Sequence, residues 1–221
     1  MERSLSIARD RVVGILLGLF MMSLVFDRLW GSRAAVEMKT TFISNLRLLA
    51  QFAKEPLSKD LKVGIERSYS LRETINSTFD QVRSLGDAVL FEFSSSRQQD
   101  LALRSRIRQW QPQLRTLFVI RITLLKYRLQ LPGFELPETL LVAQQEFDDR
   151  LAGTLDGIAN RLEGKASQEK DNFGDSFERL VQTIRSCCSE GPQELTTAEL
   201  QTFLALSLSI ESVTMSLSRE I

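Results

Sequence analysis

The chain has 221 residues, 43% hydrophobic and 25% charged, a globular balance that excludes wholesale disorder. Its 28 basic side chains are matched by 28 acidic ones and it has no histidine, so there is no overall field for nucleic acid, and Ser-His-Asp and Cys-His catalysis are excluded. The two cysteines, the neighbours Cys187 and Cys188, offer no spaced disulfide framework; they fit a reducing compartment and read as ordinary thiols rather than a redox couple.

The first element is the most apolar. From Val12 to Phe26 the chain carries no charge, and as a helix that run is about 22 Å long, against the ~30 Å of a hydrocarbon core. Leu5 and Ile7 extend the apolar surface, Arg11 and Arg28 can snorkel outward, and Trp30 suits the headgroup belt. A secretory signal would need small residues after the run, where DRLWGSRAAVEM stands instead, and a soluble core helix would keep a polar face. A membrane-spanning helix is the expected outcome of the three. Gly14 and Gly18 form Gly-x-x-x-Gly, which strips one face of the helix and lets another helix approach in lipid.

Beyond residue 31 the periodicity is helical throughout. The first helix of this region is expected over Ser32–Lys54, with Ala35, Met38, Phe42, Leu46, Leu49 and Phe52 near one face and Pro56 ending it. A second, Ser58–Phe93, carries Ile75, Phe79, Val82, Val89 and Phe93 and is broken by the serines at 94–96. A third, Gln98–Gln130, carries Leu103, Ile107, Trp110, Leu114, Leu117 and Leu124, with Pro112 expected as a kink or interruption.

The fourth helix opens at Pro137, runs through Leu140, Phe147, Leu151, Leu155, Ile158 and Leu162, and ends near Gly164. A fifth, Asp171–Cys187, uses Phe173, Phe177, Leu180, Val181 and Ile184. The last starts at Thr196 and Glu199, spaced as a capping box, and presents Leu200, Phe203, Leu206, Ile210, Val213 and Leu217. The expected architecture is therefore all-α: a transmembrane helix with its flanks over residues 1–31, then a soluble antiparallel helical bundle over 32–221.

Charge is unevenly placed among these helices. Between Arg97 and Arg128 there are eight basic residues and one acid, and Arg104, Arg108, Arg115 and Arg121 make a basic face fit either for anionic lipid or for intramolecular pairing. From Glu135 to Glu163 there are seven acids and two arginines, so an antiparallel hairpin of the two helices would set opposite charges side by side, and intramolecular pairing is the favoured reading. Trp110 reads as a buried anchor rather than a base-stacking platform. Glu146, Asp148, Asp149 and Asp156 read as a solvated face, not a metal site, since no histidine or cysteine completes a ligand set. No phosphate-binding glycine loop is present. No cofactor and no enzymatic activity are expected.

The stretch IARDRVVGILLGLFMMSLVFDRLW, with Arg11, Gly14 and Gly18 as Arg-x-x-Gly-x-x-x-Gly, resembles the last membrane helix of the fusaric acid resistance (FUSC) efflux family, in particular its multidrug-resistance, MdtO-type members. The stretch FDQVRSLGDAVLFEFSSSR, residues 79–97, resembles the segment that follows in those proteins. The resemblance implies an inner-membrane location with a cytoplasmic helical domain, and export of aromatic acids and drugs by the whole permease alongside a periplasmic adaptor. It also implies that this chain corresponds to the C-terminal portion only. One helix cannot enclose an aqueous path through lipid, so transport by this polypeptide alone is not expected. Arg11, Gly14 and Gly18 carry over as helix-packing positions. The expected partners are membrane lipid and another membrane helix, from the rest of a permease or a second copy, and not nucleic acid. A single-span scaffold or sensor whose bundle binds another protein is the alternative.

Overall fold

The computed structural model describes residues 11–22, 34–54, 61–92, 96–130, 137–165, 173–190 and 197–221. Every element among them is helical: α1 (Arg11–Met22), α2 (Ala34–Lys54), α3 (Leu61–Ala88), a 3₁₀ turn (Val89–Phe91), α4 (Arg97–Gln130), α5 (Glu138–Glu163), α6 (Phe173–Glu190) and α7 (Thr197–Glu220). The expected stripes become the core. Met38, Phe42, Leu46 and Leu49 of α2, Ile75, Phe79 and Val82 of α3, Leu114 and Leu117 of α4, Leu140, Phe147 and Ile158 of α5, and Phe203, Ile210 and Leu217 of α7 are all buried.

α2, α5, α6, α7 and α4 form a closed ring in which each packs on the next, and α3 lies over the seam between α2 and α4. Aromatic pairs bridge the seams. Phe42 meets Trp110 at 6.2 Å and Phe52 meets Phe118 at 6.0 Å between α2 and α4, Phe79 meets Phe118 at 6.0 Å between α3 and α4, and Phe147 stacks on Phe173 at 5.2 Å between α5 and α6. Each such pair contributes roughly 0.5–1.5 kcal/mol beyond its buried area. Trp110 is accordingly an anchor, as its surroundings in the sequence suggest.

Several boundaries depart from expectation for identifiable reasons. α3 stops at Ala88 rather than running to Phe93, because the chain tightens into the 3₁₀ turn and Glu92 becomes extended. That conformation lets the Glu92 carboxylate accept from the free backbone N–H groups of Ala34 and Ala35, at 3.1 and 3.4 Å, capping α2 from across the fold. Pro112 does not interrupt α4, which is continuous from Arg97 to Gln130; Pro112 is exposed, so its ring and the carbonyl it leaves unbonded need no room in the core. Pro137 caps α5, and Gly164 ends it in the left-handed conformation (φ 79°), with the Lys165 N–H donating to the Asn160 carbonyl at 2.9 Å. Thr196 of the expected capping box lies outside the described residues.

The membrane segment also differs from expectation. α1 as described covers twelve residues, about 18 Å of helix, and Ser23 to Phe26, which would lengthen it, lie outside the described residues. Among the described helices the one long and apolar enough to cross a membrane, by length and composition alone, is α7 over Ala198–Glu220. Its Leu200, Phe203, Ile210 and Leu217 are nevertheless committed to the bundle. α1 is not packed into the ring.

Candidate anion-binding cleft

The α4 basic residues were expected to meet the acids of α5. The two helices are not principal packing partners, because α5 runs against α2 and α6 while α4 runs against α7 and α2. Only the far end of the basic face finds an α5 acid. Arg121 pairs with Asp148, donates to the Ala53 carbonyl at 3.1 Å, and shares Asp148 with the Gln144 amide at 2.9 Å, a cluster whose charged side chains are only 11% and 15% exposed. The other α5 acids go elsewhere. Glu146 pairs with Arg179 of α6 at 2.7 Å, Asp156 with Lys54 of α2 at 3.7 Å, and Glu163 with Arg47 of α2 at 2.7 Å and with Lys165 at 2.6 Å. Of the expected solvated face, then, Asp149 stays exposed while Glu146, Asp148 and Asp156 join helices together. Among the described residues no group of three His, Cys, Asp or Glu side chains converges as a metal site.

The Glu163 carboxyl is held below the ordinary carboxylate range, first by its hydrogen bond with Lys165 and then by that with Arg47. Cys187 is a free, half-buried thiol at the edge of the core. Arg11 is the first described residue of α1, and among the described residues nothing comes within 4 Å of where a side chain at Gly14 or Gly18 would begin, so the stripped face of that helix is open.

Arg104, Arg108 and Arg115 are brought together elsewhere. Where α3 crosses the α2/α4 seam a cleft of about 440 Å³ opens, walled by Arg83 and Asp87 of α3 and by Arg104, Arg108 and Arg115 of α4, over a floor that includes Met38, Val82 and Ile107. Two bonds fix how α3 and α4 face each other. The Arg104 guanidinium donates to the Gly86 carbonyl, and the Gln111 amide donates to the Phe79 carbonyl at 2.8 Å. This antiparallel register sets Arg83 level with Ile107 and Arg108, across the cleft. Four arginines thus face one carboxylate, and that carboxylate, Asp87, is engaged by Arg104 at 3.6 Å.

Arg83, Arg108 and Arg115 are exposed and make no hydrogen bond or ion pair among the described residues. With Asp87 engaged by Arg104, their charges leave the cleft net positive over an apolar floor, the arrangement that attracts an anion. Arg83 was not singled out in the sequence because it stands alone on α3 between Asp80 and Asp87; only the α3/α4 register gives it a role. The chain matches no protein-family model, no curated protein and no solved structure.

Proposed function

We propose that the chain is a membrane-attached, non-catalytic subunit whose α1 lies in lipid, with the bundle as its water-facing appendage on the cytoplasmic side of an inner membrane. The observation that carries this is the exposure of α1: Val12, Val13, Ile15, Leu16, Leu17, Leu19, Phe20, Met21 and Met22 are each between 55% and 65% exposed. Monomeric proteins rarely leave contiguous apolar patches beyond a few hundred Å² open to water, and a helix apolar on every side is at home only in a buried or lipid environment.

The bare Gly14 and Gly18 face supports a partner helix in that lipid. Together with the resemblance of residues 7–30 and 79–97, it favours an efflux permease of the fusaric acid resistance type as the assembly the subunit joins. The rest of the path would have to come from other spans, because a lone helix cannot satisfy polar groups along a route through the bilayer. A second reading, a single-span sensor, is favoured by the arginine cleft, which needs no transport partner.

Alkaline carbonate washing of native membranes tests the attachment. The full chain should stay with the lipid until detergent is added, and its appearance in the wash would refute the proposal. Affinity purification in mild detergent then separates the two readings. Recovery of a separately encoded polytopic protein, lost on Gly14→Leu with Gly18→Leu, marks the permease; recovery of a protein with no membrane spans of its own, kept in that variant, marks the sensor.

A further inference from the structure

We propose that the cleft between α3 and α4 binds the phosphate-ester headgroup of an anionic membrane lipid, clamped by Arg83 from one side and Arg108 from the other. This rests on the membrane attachment only for the source of the ligand. The phosphate preference follows from the chemistry: guanidinium groups on opposite walls present forked donors that match phosphate oxygens, and neither group is engaged elsewhere among the described residues. Arg104 does not compete for that role, since it is held by the Gly86 carbonyl and Asp87. Arg115 lies about 10 Å further along α4 than Arg108, seven residues at helical rise, and extends the field rather than the clamp.

Position selects a lipid over a free phosphate. The upper end of the cleft is made by Met38, one turn into α2, and by Gly86 and Asp87, at the end of α3. The same end of the bundle carries the start of α2, to which the chain comes from α1, and it is pinned there by the Glu92 carboxylate. It also carries Val36 at 55%, Leu90 at 41% and Phe91 at 79% exposure, an apolar rim beside a basic cleft. Apolar side chains that enter acyl chains next to arginines that meet headgroups are what an anionic lipid surface fits. A small soluble phosphate ester would use the clamp and leave that rim in water.

Native mass spectrometry of the full chain in a neutral detergent tests the proposal, with dihexanoyl phosphatidylglycerol, dihexanoyl phosphatidylcholine and glycerol 3-phosphate as separate probes. Phosphatidylglycerol should bind selectively, and Arg83→Gln with Arg108→Gln should weaken it about thirtyfold, the product of two contacts each typical of a basic residue at an anionic surface. Arg106→Gln with Arg219→Gln removes the same charge from exposed positions outside the cleft and should change binding less than about twofold, in the range of a screened surface charge. Equal loss in both double variants would overturn the clamp, as would equal binding of phosphatidylcholine. Glycerol 3-phosphate binding as tightly as the lipid would overturn the lipid source. All four substitutions fall on exposed side chains, so loss of folding does not confound the comparison. Because these lipids bind from solution, a chain that washes off membranes yet keeps selective, clamp-dependent binding would sink the α1 reading and leave this one standing.

Discussion

α1 and α7 are the two described helices whose composition invites a membrane, and they part company on periodicity. α7 is long enough to cross, yet its apolar residues are arranged so that Leu200, Phe203, Ile210 and Leu217 fall on one face, and that face is closed by α4, α5 and α6. Ser207 and Thr214 sit buried on the same side, with the Thr214 hydroxyl satisfied by the Ile210 carbonyl of its own helix at 2.7 Å. α1 is shorter as described, but it has no polar face to give to water and, among the described residues, nothing packed against it. Length ranks α7 first among the described helices, while the distribution of apolar residues around the axis ranks α1 first. The second criterion is the one tied to a burial partner, because a one-sided stripe is satisfied by a bundle and an all-round coat is not.

The same substitution in the two helices should separate them most sharply. Phe203 is fully buried and Phe20 is 65% exposed. Phe203→Ala should lower bundle stability by about 3–5 kcal/mol, the range for a large core aromatic, whereas Phe20→Ala should leave the denaturant midpoint of the detergent-solubilised chain unmoved. Equal midpoints for the two variants would break the comparison. Next in size is Leu17→Arg in α1, which should oppose insertion by about 2.5–3.5 kcal/mol and shift the chain from the membrane pellet toward the carbonate wash. A bundle that melts in that variant would mean that α1 packs on it.

Most of the bundle was legible because each helix buries one stripe and the stripe recurs at helical spacing. Phe147, Leu151, Leu155 and Ile158 of α5 are placed by that rule alone, and all four are buried. What the pattern does not contain is which helix lies beside which. Adjacency in sequence suggested that α4 and α5 would exchange their charges, but the ring places α2 and α6 beside α5, so Arg47, Lys54 and Arg179 take acids that α4 was expected to take. The arginine cleft was half visible for the same reason. Arg104, Arg108 and Arg115 recur along one face of α4, whereas Arg83 joins them only through the bonds from Arg104 to Gly86 and from Gln111 to Phe79. The early end of α3 likewise depends on Glu92 reaching Ala34 and Ala35, 57 or more positions away in sequence.

The cluster where α4 does reach α5 gives a smaller and more local effect. Arg121→Ala leaves Asp148 with the Gln144 amide and no cation, and should cost about 2–3 kcal/mol, the scale of hydrogen bonds to a charged group that is largely out of water. Arg121→Met with Asp148→Leu should recover most of that loss by replacing the pair with packing. A double variant as unstable as the sum of the two singles would show that the two side chains act independently. Membrane retention should be unaffected in every member of the cycle, which keeps the bundle and α1 separable.

Glu163 supplies the finest test, of the α2/α5 seam rather than of any single core residue. Its carboxyl titrates below the ordinary range when folded, so the folded state favours the ionised form. The stabilisation is therefore fully present above the unfolded value and is lost as pH falls through the folded one. Glu163→Gln should lower stability slightly at neutral pH, by little because the partners are largely exposed and screened, with Arg47 at 46% and Lys165 at 67%, and should make no difference in acid, where the wild-type contribution is already lost. Carbon-13 titration of the Glu163 carboxyl reads the causes separately. Lys165→Ala should raise its midpoint more than Arg47→Ala, because the Lys165 hydrogen bond is the larger influence. The reverse order would assign the carboxylate chiefly to α2, making the ion pair a clasp between helices rather than a closure of the α5 C-terminus.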